Sequence, residues 1–187
     1  MLNPIPAELG DFSEIRRLNR AGSDPAIIRR GVLGKLESNG TVSVVALTGS
    51  SYPSGSNLLS SVTTLLGVVT KDYSTTPDPV TEQTQEYGGQ AESTTAKVHI
   101  ALMGAHREII LPTVNNSGEL DPSIAVPSNI GKAVTVRAQN YSITAGNNKY
   151  WCYPAVVLGG NDGIIVGLAG RGRVIVRLKR SFFVEMQ

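Results

Sequence analysis

Between residues 133 and 178 the chain repeats one arrangement: a short β-branched apolar run, then a turn of glycine and asparagine. The runs are Ala133-Val-Thr-Val-Arg137, Ala155-Val-Val-Leu158, Gly163-Ile-Ile-Val-Gly-Leu168 and Val174-Ile-Val-Arg-Leu178. Between them stand Ala145-Gly-Asn-Asn148, Gly159-Gly-Asn-Asp162 and Gly170-Arg-Gly172. Runs this short cannot sustain a helix, and valine and isoleucine favour a pleated strand. Glycine supplies positive φ in the turns, and asparagine and aspartate tolerate it. A spacing of about ten residues per strand predicts antiparallel strands in a meander. The expected fold is all-β, a compact barrel or sandwich of short antiparallel strands.

Upstream the same logic holds with less regularity. Thr41-Val-Ser-Val-Val-Ala-Leu47 follows the Ser38-Asn39-Gly40 turn and reads as a strand. Leu58, Leu59, Val62, Leu65, Leu66 and Val69 match helical spacing, but the serines and threonines among them are indifferent helix formers. The second half, Thr64 to Lys71, reads as a strand. Val98–Met103 and Glu108–Leu111 flank Gly104-Ala105 and predict a hairpin. Within this body, residues 31–187, two long loops are expected, at 48–60 and 72–96.

Residues 1–30 read as an extended N-terminal arm carrying a short helix. Two early prolines keep the chain extended. Asp11 is a candidate N-cap with Glu14 three residues on, Ile15 and Leu18 would share a helical face, and Gly22 would end the helix. Phe12, Ile15, Leu18, Ile27 and Ile28 are its candidate contact residues, toward its own body or toward a neighbour.

Several functional classes lose support. One cysteine, Cys152, cannot form an internal disulfide, and it has neither a histidine nor a cationic cluster that would make it a nucleophile. No run approaches the ~18 apolar residues of a membrane-spanning helix, and the first residues lack the basic-then-apolar order of a signal peptide. Cytosolic synthesis is the expectation. His99 and His106 would face each other across the expected hairpin, but no further ligand accompanies them. The glycines of 163–172 lead into a strand rather than a helix, so they predict a hairpin turn and not a phosphate loop. The sequence therefore predicts no catalytic, cofactor-binding or metal-binding residues, and not an enzyme.

The charges carry more information. The formal net charge of +2 conceals five acids and no cation between Asp72 and Glu92. It equally conceals five cations and no acid between residues 171 and 180. Arg171, Arg173, Arg177 and Lys179 fall in one parity class and so on one strand face, with Arg180 beside them. Such a stripe would meet phosphates or an acidic protein surface, and the 72–92 stretch, of the same molecule or a symmetric copy, is one source of opposite charge. The aromatics Tyr150, Trp151 and Tyr153 suit an interface or a core equally.

Val32-Leu-Gly-Lys-Leu36, Thr63-Thr-Leu-Leu-Gly-Val-Val-Thr-Lys-Asp72 and Ala96-Lys-Val-His-Ile-Ala-Leu-Met-Gly104, with the closing 163–178 hairpin, resemble the small β-rich decoration, or cement, proteins of tailed-bacteriophage capsids. The resemblance covers residues 31–180 in rhythm and short motifs in letters. It implies a non-enzymatic virion protein, often a homotrimer, seated on the capsid exterior after assembly in the host cytoplasm. Its partners would be the major capsid protein and itself, through the arm residues above and Arg171, Arg173, Arg177, Lys179 and Arg180. The alternatives are another phage particle protein (head–tail joining or tail component), or a nucleic-acid-binding β-barrel using the basic strand.

Overall fold

The computed structural model describes residues 4–9, 14–21, 27–74, 97–141 and 149–183. The fold is all-β, as expected, and its sheet ladders are antiparallel. In chain order the strands are β1 (Ile15–Asn19), β2 (Ile27–Ile28), β3 (Leu33–Leu36), β4 (Val42–Val44), β5 (Ala46–Thr48), β6 (Leu65–Val69) and β7 (Tyr73–Ser74). They continue as β8 (Lys97–Leu102), β9 (Glu108–Pro112), β10 (Ala133–Ala138), β11 (Lys149–Trp151), β12 (Pro154–Leu158), β13 (Gly163–Gly170) and β14 (Arg173–Leu178). Two five-stranded sheets carry the architecture, ordered β1-β8-β6-β3-β4 and β12-β10-β13-β14-β9. Two short ribbons, β11-β5 and β2-β7, complete it.

The principal core lies between the two large sheets. Leu33, Leu65 and Val68 of the first pack with Ile109, Leu111, Val136, Ile165, Val176 and others of the second. Leu58, Leu59 and Val62 join this core from an irregular segment, which explains their helix-like spacing: they are apolar because they are buried, not because they wind. A second cluster on the other side of the first sheet contains Ile28, Val32, Val69, Val98, Trp151 and Tyr153. Gly67 makes one close approach possible, because a Cβ there would stand 1.8 Å from the Ala101 carbonyl oxygen on β8.

The C-terminal hairpin forms as the glycines predicted. β13 and β14 pair through Gly170-Arg171-Gly172, whose φ values of +73°, +52° and +70° are left-handed. Three sequence expectations fail: the strands of 133–178 do not run as a meander, because β10 stands between β12 and β13, and two local elements differ as well. Val98–Met103 and Glu108–Leu111 are strands but not a hairpin, since β8 belongs to the first sheet and β9 to the second. The Gly104-Ala105 turn instead carries the chain from one sheet to the other, so His99 and His106 do not sit on paired strands. The helix expected from Asp11 to Gly22, whose residues 11–13 and 22 lie outside the described ones, is also replaced: Ile15–Asn19 is β1, paired antiparallel with Lys97–Ala101. A helix of about three turns is marginal without a surface to pack on, whereas the strand gains a ladder from β8. Ile15 and Leu18 consequently lie on opposite faces rather than together.

The N-terminal segment is tied to its own body wherever it is described. Ala7 N–H donates to Gly31 O at 3.1 Å, and Glu8 and Ile110 exchange backbone bonds of 3.1 and 2.7 Å. Gln139, 2% exposed, grips the same segment with its side-chain amide. Arg20 forms a parallel bridge with Val42, linking the strand that begins one edge of the first sheet to β4 at the other.

Candidate protein-binding surface

Strand β14 alternates as its sequence requires. Val174, Val176 and Leu178 point into the core, while Arg173, Ile175 and Arg177 point outward. The register sets Arg177 between Ile164 of β13 and Glu108 of β9, and Ile175 between Gly167 and Ile110. Ala133 of β10 lies opposite Ile164 and extends the same outer face. Ile164 is 42% exposed, and Ile130, just before a segment bonded to β13 at Ile165, is 48% exposed. The result is a sheet face of apolar residues crossed by arginines.

Those arginines are held by carboxylates of the same chain. Arg177 donates from Nη2 and Nε to Glu108 Oε1 at 2.6 and 3.2 Å. Arg173 Nη1 donates to Glu8 Oε2 at 2.7 Å. The sequence pointed to the 72–92 stretch as a source of opposite charge, and its residues from 75 onward lie outside the described ones. For Arg173 and Arg177 the structure supplies Glu8 and Glu108 instead. Asp72, the described end of that stretch, pairs with Arg29 at 3.0 Å and accepts the Arg30 backbone N–H. Arg171 stands exposed at the hairpin tip, Lys179 follows β14 half-buried, and Arg180 opens a short 3₁₀ turn, exposed.

The proposed arm contacts divide. Ile15 is 56% exposed, and Leu18 is half-buried. Ile28 is fully buried in the second core cluster, so its contact is with its own body and it offers no surface to a neighbour. Ile27 pairs with Ser74 in the β2–β7 ribbon, and Phe12 lies outside the described residues.

The aromatic stretch resolves toward the core. Tyr150, Trp151 and Tyr153 are buried, and Trp151 and Tyr141 each meet Tyr153 edge-on, with centroids 5.3 and 5.6 Å apart. Burial pushes the Tyr153 phenol up to about 12, with Asp72 adding to the effect. Cys152 is wholly buried, its Sγ donates to Tyr150 O at 3.6 Å, and burial raises the thiol to about 11. A thiol so placed is a packing residue.

The parity of β14 announced the outward arginines, but no local signal announced their partners, because Glu8 and Glu108 come from elsewhere in the chain. Among the described residues no group of three or more histidine, cysteine or acidic side chains is placed to hold a metal ion. Among the same residues no helix is long and apolar enough to cross a membrane. No family model, curated protein or solved structure matches the chain.

Proposed function

We propose that this chain is a structural virion protein that decorates and stabilises a bacteriophage capsid by binding the lattice of the major capsid protein, as a homo-oligomer on the capsid exterior. One observation carries the reading: the outer face of the β10-β13-β14-β9 sheet presents Ile164, Ile175 and Ile110 among arginines already fixed by Glu8 and Glu108. A face with apolar contact area and internally neutralised charge suits another protein surface, where desolvation of paired groups costs less than that of lone charges. The resemblance of residues 31–180 to decoration proteins supports the same assignment. The nucleic-acid alternative is weakened because two of the five cations in 171–180 are partnered by acids.

The test is co-sedimentation of the purified chain with undecorated phage shells. The wild type should pellet with shells and raise their thermal stability, with only modest dependence on salt. Ile164→Asp, an exposed position, should abolish pelleting while leaving the circular dichroism unchanged. Equal pelleting of wild type and variant, or none by either, would overturn the proposal.

A further inference from the structure

β1 is an edge strand that burial does little to hold. Four of its five residues are exposed, and Ile15 is the most exposed large apolar side chain among the described residues. Leu102 N–H donates to Glu14 O at 2.9 Å. By antiparallel alternation, Arg16 and Leu18 then also turn their backbone groups toward β8, and Ile15 and Arg17 turn theirs away. Because the Arg20–Val42 bridge is parallel, the residues before Arg20 run past Thr41 and the Ser38–Gly40 turn. No strand among the described residues covers Ile15 to Arg17.

Beside this edge opens a groove of about 380 Å³. Ile15, Ala101 and Val68 line it from the first sheet, and Pro6, Ala7 and Leu9 from the N-terminal segment. Period two puts Arg17 on the same face as Ile15, opposite His99. Exposed Lys97 is next along that face, and Arg30 lines the groove. The His99 imidazole is held below its ordinary pKa by burial first and then by Lys71 and Arg17, as expected where cations gather. Among the described residues the nearby acids are engaged elsewhere, Glu14 with Arg16, Glu8 with Arg173 and Asp72 with Arg29.

We propose that the open edge of β1 docks an extended acidic segment of a partner polypeptide, which adds as a strand, sets a large apolar side chain into the groove beside Ile15, and places a carboxylate two residues away against Arg17. Backbone pairing supplies the affinity and the two side chains the selectivity, as in other strand additions. A second copy is the poorer occupant: antiparallel pairing of β1 with its twin, centred on Arg17, sets arginine against arginine, and like charges directly opposite each other destabilise a ladder. The proposal does not rest on the capsid reading, whose carrying observation is the face of the other sheet.

The probe is a fluorescein-labelled peptide, Thr-Leu-Thr-Glu-Thr-Leu-Thr-Glu, titrated with the full chain and followed by anisotropy. It satisfies either strand direction. Saturable binding is expected, weakened about tenfold by Ile15→Ala and by Arg17→Glu, both exposed positions that leave the fold intact by circular dichroism. Arg17→Glu should prefer the peptide with lysines in place of glutamates, and N-methylation of alternate peptide amides should abolish binding. The proposal is overturned by absence of binding, by indifference to N-methylation, or by failure of the charge swap. Binding only to a Phe12→Ala chain would show the groove filled by its own sequence, and peptide-sensitive self-association would assign the edge to a second copy; either result also overturns it.

Discussion

Gln139 offers the sharpest test of how the N-terminal segment is held. Its side chain accepts from Ile5 N–H at 3.0 Å and donates through Nε2 to Ile5 O at 2.7 Å and Pro154 O at 3.1 Å. Gln139→Leu keeps the volume and removes all three bonds. At about 0.5–1.5 kcal/mol per bond, with the buried Pro154 carbonyl left unsatisfied, the cost is about 2–4 kcal/mol. For a chain of this size each kcal/mol lowers Tm by about 2–4 °C, so the melting temperature should fall by about 5–15 °C. Thermal melts followed by circular dichroism measure it, and limited proteolysis should show residues 4–9 cut first. Gln139→Glu is the control with a sign. Burial raises the carboxyl pKa in the folded chain above its unfolded value, so the charged form is the destabilised one. The variant should therefore be most stable below the unfolded pKa of about 4.3 and lose stability as pH rises through the folded value. An unchanged Tm for Gln139→Leu, with residues 4–9 still protected, would refute the clamp. The same contacts predict that removing residues 1–30 takes away β1, β2 and buried Ile28, and so unfolds part of the body rather than trimming a free arm.

Three further outcomes follow from particular contacts. Gly67→Ala should lower urea stability by about 3 kcal/mol, since the new methyl meets the rigid Ala101 backbone, whereas Gly104→Ala, with open space around it, should be near neutral. Cys152 should resist iodoacetamide at pH 8 in the folded chain and react only in denaturant; stoichiometric labelling of the native protein would contradict its burial. The Glu37 carboxyl is held below its ordinary pKa first by the Ser43 hydroxyl, with burial opposing it next and Lys35 adding to the lowering. Its stabilisation is present above the unfolded pKa and lost as pH falls through the folded one, so Glu37→Gln should flatten the acid limb of the stability profile.

What could be read from the sequence was what depends on near neighbours. Period-two alternation along 173–178 named the inward and outward residues of β14, and Gly170-Arg171-Gly172 named its turn. What depends on distant pairing was not legible. Residues 11–22 carry every local mark of a helix, and only β8, some eighty positions on, makes Ile15–Asn19 a strand. Gly104-Ala105 carries the marks of a hairpin turn, yet β8 and β9 each find better partners in different sheets. The groove beside Ile15 needed both the N-terminal segment and the first sheet in place, so no window of sequence contained it.

The charge pattern shows what that distinction does to function. Counted along the chain, 171–180 is a basic strip able to bind any polyanion. Counted in space, Arg173 and Arg177 each form a pair with near-zero net charge, and the pairs are partly exposed. A paired arginine contributes little to long-range attraction but keeps spare donors in a fixed orientation, so it favours a partner that meets it at contact distance. Affinity for a polyanion falls with salt in proportion to the phosphates neutralised, and each arginine already neutralised by its own chain lowers that number. Between and beside the pairs, Ile110, Ile175 and Ile164 give the face an apolar area that a phosphate backbone does not reward and a protein surface does. The feature that first suggests a polyanion partner, once folded, favours a protein one.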